Sequence, residues 1–125
     1  NARYREWRWN PMKTVTMMLI EETGAKIIKQ NPAMEEMAAR IGAVGRMDII
    51  PMRPNFDQIY LAFDMAKNPD GPMYDGWEGE RKLIVGKGIL FRMAGMRIWD
   101  LPMEDGEKAA ELVEVRGEQL AWDKL

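Results

Sequence analysis

The chain has 125 residues, a net charge of −2, and neither His nor Cys, and it also contains no Ser. Without these residue types, Ser or Cys nucleophilic catalysis, Cys/His metal centres and a disulfide framework are excluded, so that only cation sites built from oxygen ligands remain possible. A hydrophobic share of 46% is typical of a globular domain, and apolar runs such as Met17 to Ile20 are too short to cross a bilayer. We therefore expect a non-enzymatic protein without a cofactor and without a membrane partner.

Charge is segregated along the chain. Residues 81–99 contain five basic residues and no acid, a net charge of +5, whereas residues 100–125 contain eight acids and three bases, a net charge of −5. Residues 1–13 and 64–80 carry +3 and −4. Blocks of opposite sign can pair within one fold, or they can align neighbouring copies head to tail.

The Asn-Pro pair at residues 10–11 predicts the start of a first helix, because Asn is a good N-cap and Pro suits the first helical position. The apolar residues that follow have helical spacing: Met12, Val15, Met18 and Leu19. The β-branched run Thr14–Thr16 also suits a strand, but we expect a helix.

The Asn-Pro pair at residues 31–32 predicts a second helix by the same argument. Its apolar stripe consists of Met34, Met37, Ala38 and Ile41, and Gly42 ends it. Residues 47–50 are apolar apart from Asp48 and are followed by Pro51, which predicts an extended segment.

The spacing in residues 56–66 fits both a strand and a helix, and the alternation of Ile59, Leu61 and Phe63 favours the strand. Residues 68–80 are rich in Pro, Gly and Asp and predict a long surface loop. Residues 83–93 alternate in period two around a turn or bulge at residues 86–88, and residues 96–100 continue the sheet.

Residues 104–115 predict a C-terminal helix that ends at Gly117. The expected fold class is therefore α+β, with two N-terminal helices, a mainly antiparallel sheet of about four strands and one C-terminal helix. Residues 1–10 form a basic and aromatic arm in this interpretation, and residues 11–125 form one domain.

The arm interleaves cations with aromatic side chains, as a surface that stacks on single-stranded nucleic acid requires. Because the whole chain is acidic, an arm that docks on its own core or on a neighbouring subunit is favoured over nucleic acid. The predicted interface comprises Arg3, Tyr4, Arg5, Trp7, Arg8, Trp9, Arg92 and Arg97.

The acidic loop contains candidate ligands for a hard cation, namely Asp70, Asp75 and Glu78. An EF-hand register fails, because it places Ala66 and Trp77 where the motif requires carboxylates. A solvated loop without a metal is the favoured interpretation. Gly86-Lys87-Gly88 matches no phosphate-binding motif and predicts a hairpin turn or a bulge.

The segment IIKQNPAMEEMAARIGAVGRMDIIP, which ends at Pro51, resembles the tail-terminator and tail-completion proteins of tailed bacteriophages, which act at head-tail junctions. In that family a helix precedes an Asn/Asp-Pro-Ala start, a short second helix, a glycine and an extended segment ending in Pro. The strands of residues 81–101, the sequence WDLP at residues 99–102 and the helix that follows are also similar, whereas the arm and the loop at residues 68–80 depart from the pattern. The resemblance implies a small subunit of a homo-oligomeric ring at a head-tail or tail-tube end.

The expected function is that of a structural or assembly subunit, which forms homo-oligomers and contacts other structural proteins. A nucleic-acid-binding module that uses the arm is the first alternative. A Mg²⁺-dependent enzyme that uses carboxylates is the second.

Overall fold

The computed structural model of the chain describes residues 13–52, 55–74 and 81–117. Its helices are α1 (Met34–Arg40) and α2 (Met103–Ala110). Its strands are β1 (Val15–Glu21), β2 (Gly24–Gln30), β3 (Met47–Pro51), β4 (Ile59–Asp64), β5 (Met73–Tyr74), β6 (Lys82–Val85), β7 (Gly88–Ala94), β8 (Arg97–Trp99) and β9 (Val113–Arg116).

The main sheet has six antiparallel strands in the order β2-β1-β7-β4-β3, with β8 also paired to β7. β1 pairs with residues 88–90 and β8 with residues 92–94, so these two strands lie one after the other beside β7. The second sheet has the order β5-β6-β9. In it β6 and β9 are parallel, which requires the long connection through β7, β8 and α2.

The predicted first helix is wrong. Residues 15–30 form the hairpin of β1 and β2, in continuous register from Val15 opposite Gln30 to Glu21 opposite Gly24. The physical reason is that residues 17–20 are buried on both faces of the sheet, a setting in which a continuous apolar run suits a strand. The fold class with two N-terminal helices is corrected accordingly: the N-terminal part of the described chain is a β-hairpin followed by one short helix. The expected sheet of about four strands is corrected as well, because the described strands form a six-stranded sheet and a three-stranded sheet.

Several local predictions are confirmed. Helix α1 follows the second Asn-Pro pair, residues 47–50 lie in β3, and residues 56–66 contain the strand β4 rather than a helix. The predicted C-terminal helix is too long, because residues 113–116 leave it to form β9 beside β6. The strands on either side of residues 86–87 belong to different sheets, so this turn joins the sheets and is not a hairpin loop.

The core has two layers, one on each face of the main sheet. On one face Met18, Leu61 and Leu90 pack with Ile84 of the second sheet and Ala109 of α2. The other face packs against α1, and its buried residues include Met17, Leu19, Met37, Ile89 and Phe91. The main sheet therefore lies between α1 on one side and the second sheet with α2 on the other.

In the described part of the chain, neither helix has the length and apolar character that spanning a membrane requires.

Candidate functional site

The turn between β7 and β8 presents an apolar side chain to solvent. Two residues, Gly95 and Met96, connect the strands, and Ala94 pairs with Arg97 to close the turn. The φ angles of Gly95 and Met96 are 59° and 62°, both in the left-handed region, as a type I′ hairpin turn requires. Met96 is 97% exposed. Asn and Gly are the residues that suit such a position, so this methionine is unfavourable there for local structure.

Two neighbours extend this surface. The indole Nε1 of Trp99 donates a hydrogen bond to the carbonyl oxygen of Ala94 (3.1 Å), which fixes the ring beside the turn while leaving it half-exposed. The guanidinium carbon of Arg97 lies 5.4 Å from the centre of that ring, a cation–π contact that orders the arginine. We call Met96, Arg97 and Trp99 the hairpin tip.

A groove of about 460 Å³ lies between the outer strand β2 and helix α2. Its apolar lining includes Met18, Ile27 and Ala110, and Ile27 is 43% exposed. Two exposed carboxylates also line it, Glu107 of α2 and Glu111 directly after that helix. The remaining lining residues are Ala25 and Lys26, and we call this surface the β2–α2 groove.

The outer strands of the main sheet are guarded against pairing with another strand. β2 carries two exposed lysines, Lys26 and Lys29, and lysine on an edge strand opposes strand addition. In β3 the carboxylate of Asp48 accepts a hydrogen bond from the backbone N–H of Ile49 (2.8 Å), and Pro51 ends the strand. Contacts through side chains are therefore favoured over extension of the sheet.

A second groove, of about 650 Å³, lies where the turn at residues 86–87 meets the end of β9. Its lining is charged but mixed, with the bases Arg40, Lys67, Lys87 and Arg116 and the acids Glu21 and Glu22. Lys87 pairs with Glu21 (3.6 Å), and Arg116 pairs with Glu114 (3.8 Å). Because carboxylates offset the bases, this turn lacks the strongly positive surroundings that favour a phosphate.

Of the residues predicted as an interface, Arg92 and Arg97 lie in the described part of the chain. Arg92 lies in β7 and donates a hydrogen bond from Nε to Oε1 of Gln58 (3.0 Å), whereas Arg97 belongs to the hairpin tip. The other six lie outside the described residues: Arg3, Tyr4, Arg5, Trp7, Arg8 and Trp9. The arm and the nucleic-acid alternative that depends on it therefore stay predictions.

The candidate metal ligands are only partly described. Asp70 is an exposed residue of the turns after β4, and Asp75 and Glu78 lie outside the described residues. Within residues 13–52, 55–74 and 81–117, no group of three acidic side chains is arranged to hold a metal ion. The carboxylate-enzyme alternative stays a prediction without a described site.

Asn68, which the sequence suggests only as the start of a loop, joins the two sheets. Its buried Nδ2 donates hydrogen bonds to the carbonyl oxygens of Asp64 (2.9 Å) and Val85 (3.0 Å). Its Oδ1 accepts one from the backbone N–H of Val85 (2.9 Å). The side chain thus satisfies both backbone groups of a strand residue, and its role is structural.

Asp64 is a buried carboxylate at the end of β4. Its oxygens accept hydrogen bonds from Nε and Nη2 of Arg46 (3.3 Å each) and from the backbone N–H of Ala66 (2.9 Å). Burial is the largest single influence on this group and raises its pKa, but the hydrogen bonds and the charges of Arg46 and Lys67 together hold the pKa of Asp64 below its ordinary value. Arg46 also donates to the carbonyl oxygen of Gly42 (2.8 Å), so this pair anchors the loop after α1.

Lys82 is a second charged side chain in the core, 1% exposed in β6. Burial disfavours its ammonium form and lowers the pKa of Lys82. It lines neither the β2–α2 groove nor the charged groove, and it belongs to the packing of the second sheet.

Sequence reasoning missed Met96 and Ile27, the central residues of the tip and the groove. Met96 was expected inside the sheet and Ile27 inside a helix. A Gly-X pair between two alternating segments is a usable signal for a two-residue hairpin, and Gly95-Met96 fits it. Comparison of the chain with models of known protein families, with curated proteins and with solved structures gives no match.

Proposed function

We propose that this chain is a non-enzymatic assembly subunit that works as a homo-oligomer. The observation that carries the proposal is Met96, a methionine that is almost fully exposed at a position of positive φ. Such a residue costs a monomer local free energy and yields no packing in return. A docking partner that covers Met96 offsets this cost, because it removes the apolar side chain from water.

Unpaired charges support the same proposal. Among the described residues, Arg92 and Arg97 of the basic block form no ion pair, and neither do Glu107 and Glu111 of the acidic block. Arg92 donates a hydrogen bond to Gln58 and Arg97 lies over the Trp99 ring, but neither contact neutralises the charge, so all four residues keep a charge that an opposite charge on another molecule can pair with. A neighbouring copy offers both signs at once.

The resemblance to tail-terminator and tail-completion proteins suggests the setting, a ring at the head-tail or tail-tube end of a virion. It rests on the order of α1, β3 and the elements from β6 to α2, because residues 24–30, where that family has a helix, form β2. The absence of Ser, Cys and His from the chain supports a role in contacts rather than in nucleophilic chemistry. Other structural proteins are the further partners that this setting supplies.

The test is light scattering on the purified full chain over a concentration series at low and high salt, followed by electron microscopy of the largest species. We expect a discrete multiple of the 14.5 kDa subunit, seen as closed rings, whose dissociation becomes easier at high salt because salt screens exposed charges. A monomer at every concentration and salt condition contradicts the proposal.

A further inference from the structure

We infer that the hairpin tip of one copy inserts into the β2–α2 groove of the next, so that copies of the chain associate head to tail. This inference rests on the proposed function and names the interface behind it. The occupant of the groove is thus a second copy of this chain.

The apolar parts of the two surfaces match. The tip offers Met96 at its summit, with the half-exposed ring of Trp99 beside it. The groove offers Ile27 and Ala110, with Met18 beneath them. A flexible thioether side chain fills irregular apolar spaces well, and a volume of about 460 Å³ lies in the range of sites that hold small ligands.

The charges match as well. Arg97 stands next to Met96, and the groove is lined by Glu107 and Glu111, so insertion brings a cation to two carboxylates that form no ion pair within residues 13–52, 55–74 and 81–117. Lys26 is the one base in the lining and leaves the groove with a net negative charge. A contact between two hairpin tips would instead oppose Arg97 with Arg97, which is unfavourable.

The type of symmetry follows from the two residue sets. Tip and groove share no residue, so a subunit that inserts its tip into one neighbour and receives the tip of another makes heterologous contacts, which produce a ring or a filament. Pairing of β2 with β2 of another copy is opposed by Lys26 and Lys29.

The experiment uses two full-length variants that each disable one surface. Met96→Asp removes the apolar summit and places an acid before the acidic groove, while Asp tolerates the positive φ. Ile27→Lys puts a cation in the groove on a strand that already tolerates lysine. The matched controls are Val44→Asp and Val44→Lys, because Val44 is a 65% exposed apolar residue that belongs to neither surface.

Sedimentation velocity is measured on each variant alone and on a one-to-one mixture, with circular dichroism to establish folding. We expect each variant to weaken self-association by about tenfold or more, the equivalent of one buried apolar side chain. The mixture should form a species of two subunits, because one good tip meets one good groove, whereas the controls assemble like the unmodified chain.

Three results overturn the inference. In the first, the unmodified chain is oligomeric and both variants assemble like it, which leaves the proposed function intact but rejects this interface. In the second, both folded variants are monomeric but their mixture stays monomeric, which rejects the pairing of tip with groove. A monomeric unmodified chain rejects the inference and the proposed function together.

Discussion

A methionine in the left-handed region of a two-residue turn has an unfavourable backbone and an unfavourable exposure to water at the same time. The backbone cost comes from Cβ, which any residue except Gly carries. The exposure cost comes from the thioether side chain. Met96→Gly removes both costs, whereas Met96→Ala removes only the cost of exposure. A comparison of the two variants therefore isolates the contribution of the backbone to the free energy of unfolding.

Met96→Gly is expected to raise the free energy of unfolding by about 1 kcal/mol, because it removes the Cβ clash at positive φ. Met96→Ala keeps Cβ and is the matched control, with no comparable gain. Both substitutions should weaken self-association. The measurement is urea denaturation at concentrations where light scattering finds monomers, and a Met96→Gly variant less stable than Met96→Ala contradicts the account.

Asp64→Asn is expected to lower the free energy of unfolding at neutral pH by about 1–3 kcal/mol, because hydrogen bonds to a charged group are lost. The folded pKa of Asp64 lies below its ordinary value of 3.8, so the contribution of the carboxylate is present above pH 3.8 and disappears as the pH falls through the folded pKa. The difference from the unmodified chain should shrink below pH 3.8.

The control for that prediction is Asp57→Asn, which changes an exposed carboxylate. It should leave the free energy of unfolding nearly unchanged across the same pH range. A penalty for Asp64→Asn that stays constant down to the acid transition would mean that the side chain acts by shape and not by charge.

At the scale of elements, segments with a strong local signal could be predicted from sequence. Helix α1 follows an Asn-Pro pair, although its N-cap is Ala33 rather than Asn31, and it has an acidic first turn; β4 has alternating large apolar residues. β1 could not be predicted in this way, because Val15, Met18 and Leu19 also fit one helical face. Its state is decided by pairing with Leu90 of β7, a contact that no local window contains.

Asn68→Ala tests the link between the two sheets. It leaves both backbone groups of Val85 without their side-chain partner, and we expect a loss of about 2 kcal/mol or more in the free energy of unfolding. The comparison is Asn55→Ala at an exposed position, which should have little effect. Equal effects of the two substitutions in thermal and urea denaturation would reject this role for Asn68.

At the scale of the whole molecule, the segregation of charge could be predicted from the sequence. Which charges pair within the subunit and which remain for another molecule could not. The sequence favours internal pairing and solvated faces for the basic and acidic blocks, with contacts between copies as the alternative. The structure distinguishes internal pairing from contacts between copies at particular residues. Lys108 pairs with Glu104 inside the acidic block, whereas Glu107 and Glu111 form no ion pair with a described residue. The candidate surfaces likewise depend on tertiary structure, because Ile27 and Ala110 meet only after β2 and α2 pack together.

The pairing of β1 with β7 also has a consequence for biosynthesis. The first strand leaves the ribosome with buried-type residues on both of its faces, and β7, which covers its inner edge, is made much later. Contacts so distant in sequence slow folding, and the hairpin of β1 and β2 exposes apolar surface until β7 has been synthesised. Nascent chains that meet one another at this stage would aggregate through an apolar strand, so the proposed assembly requires each subunit to complete its own sheet first.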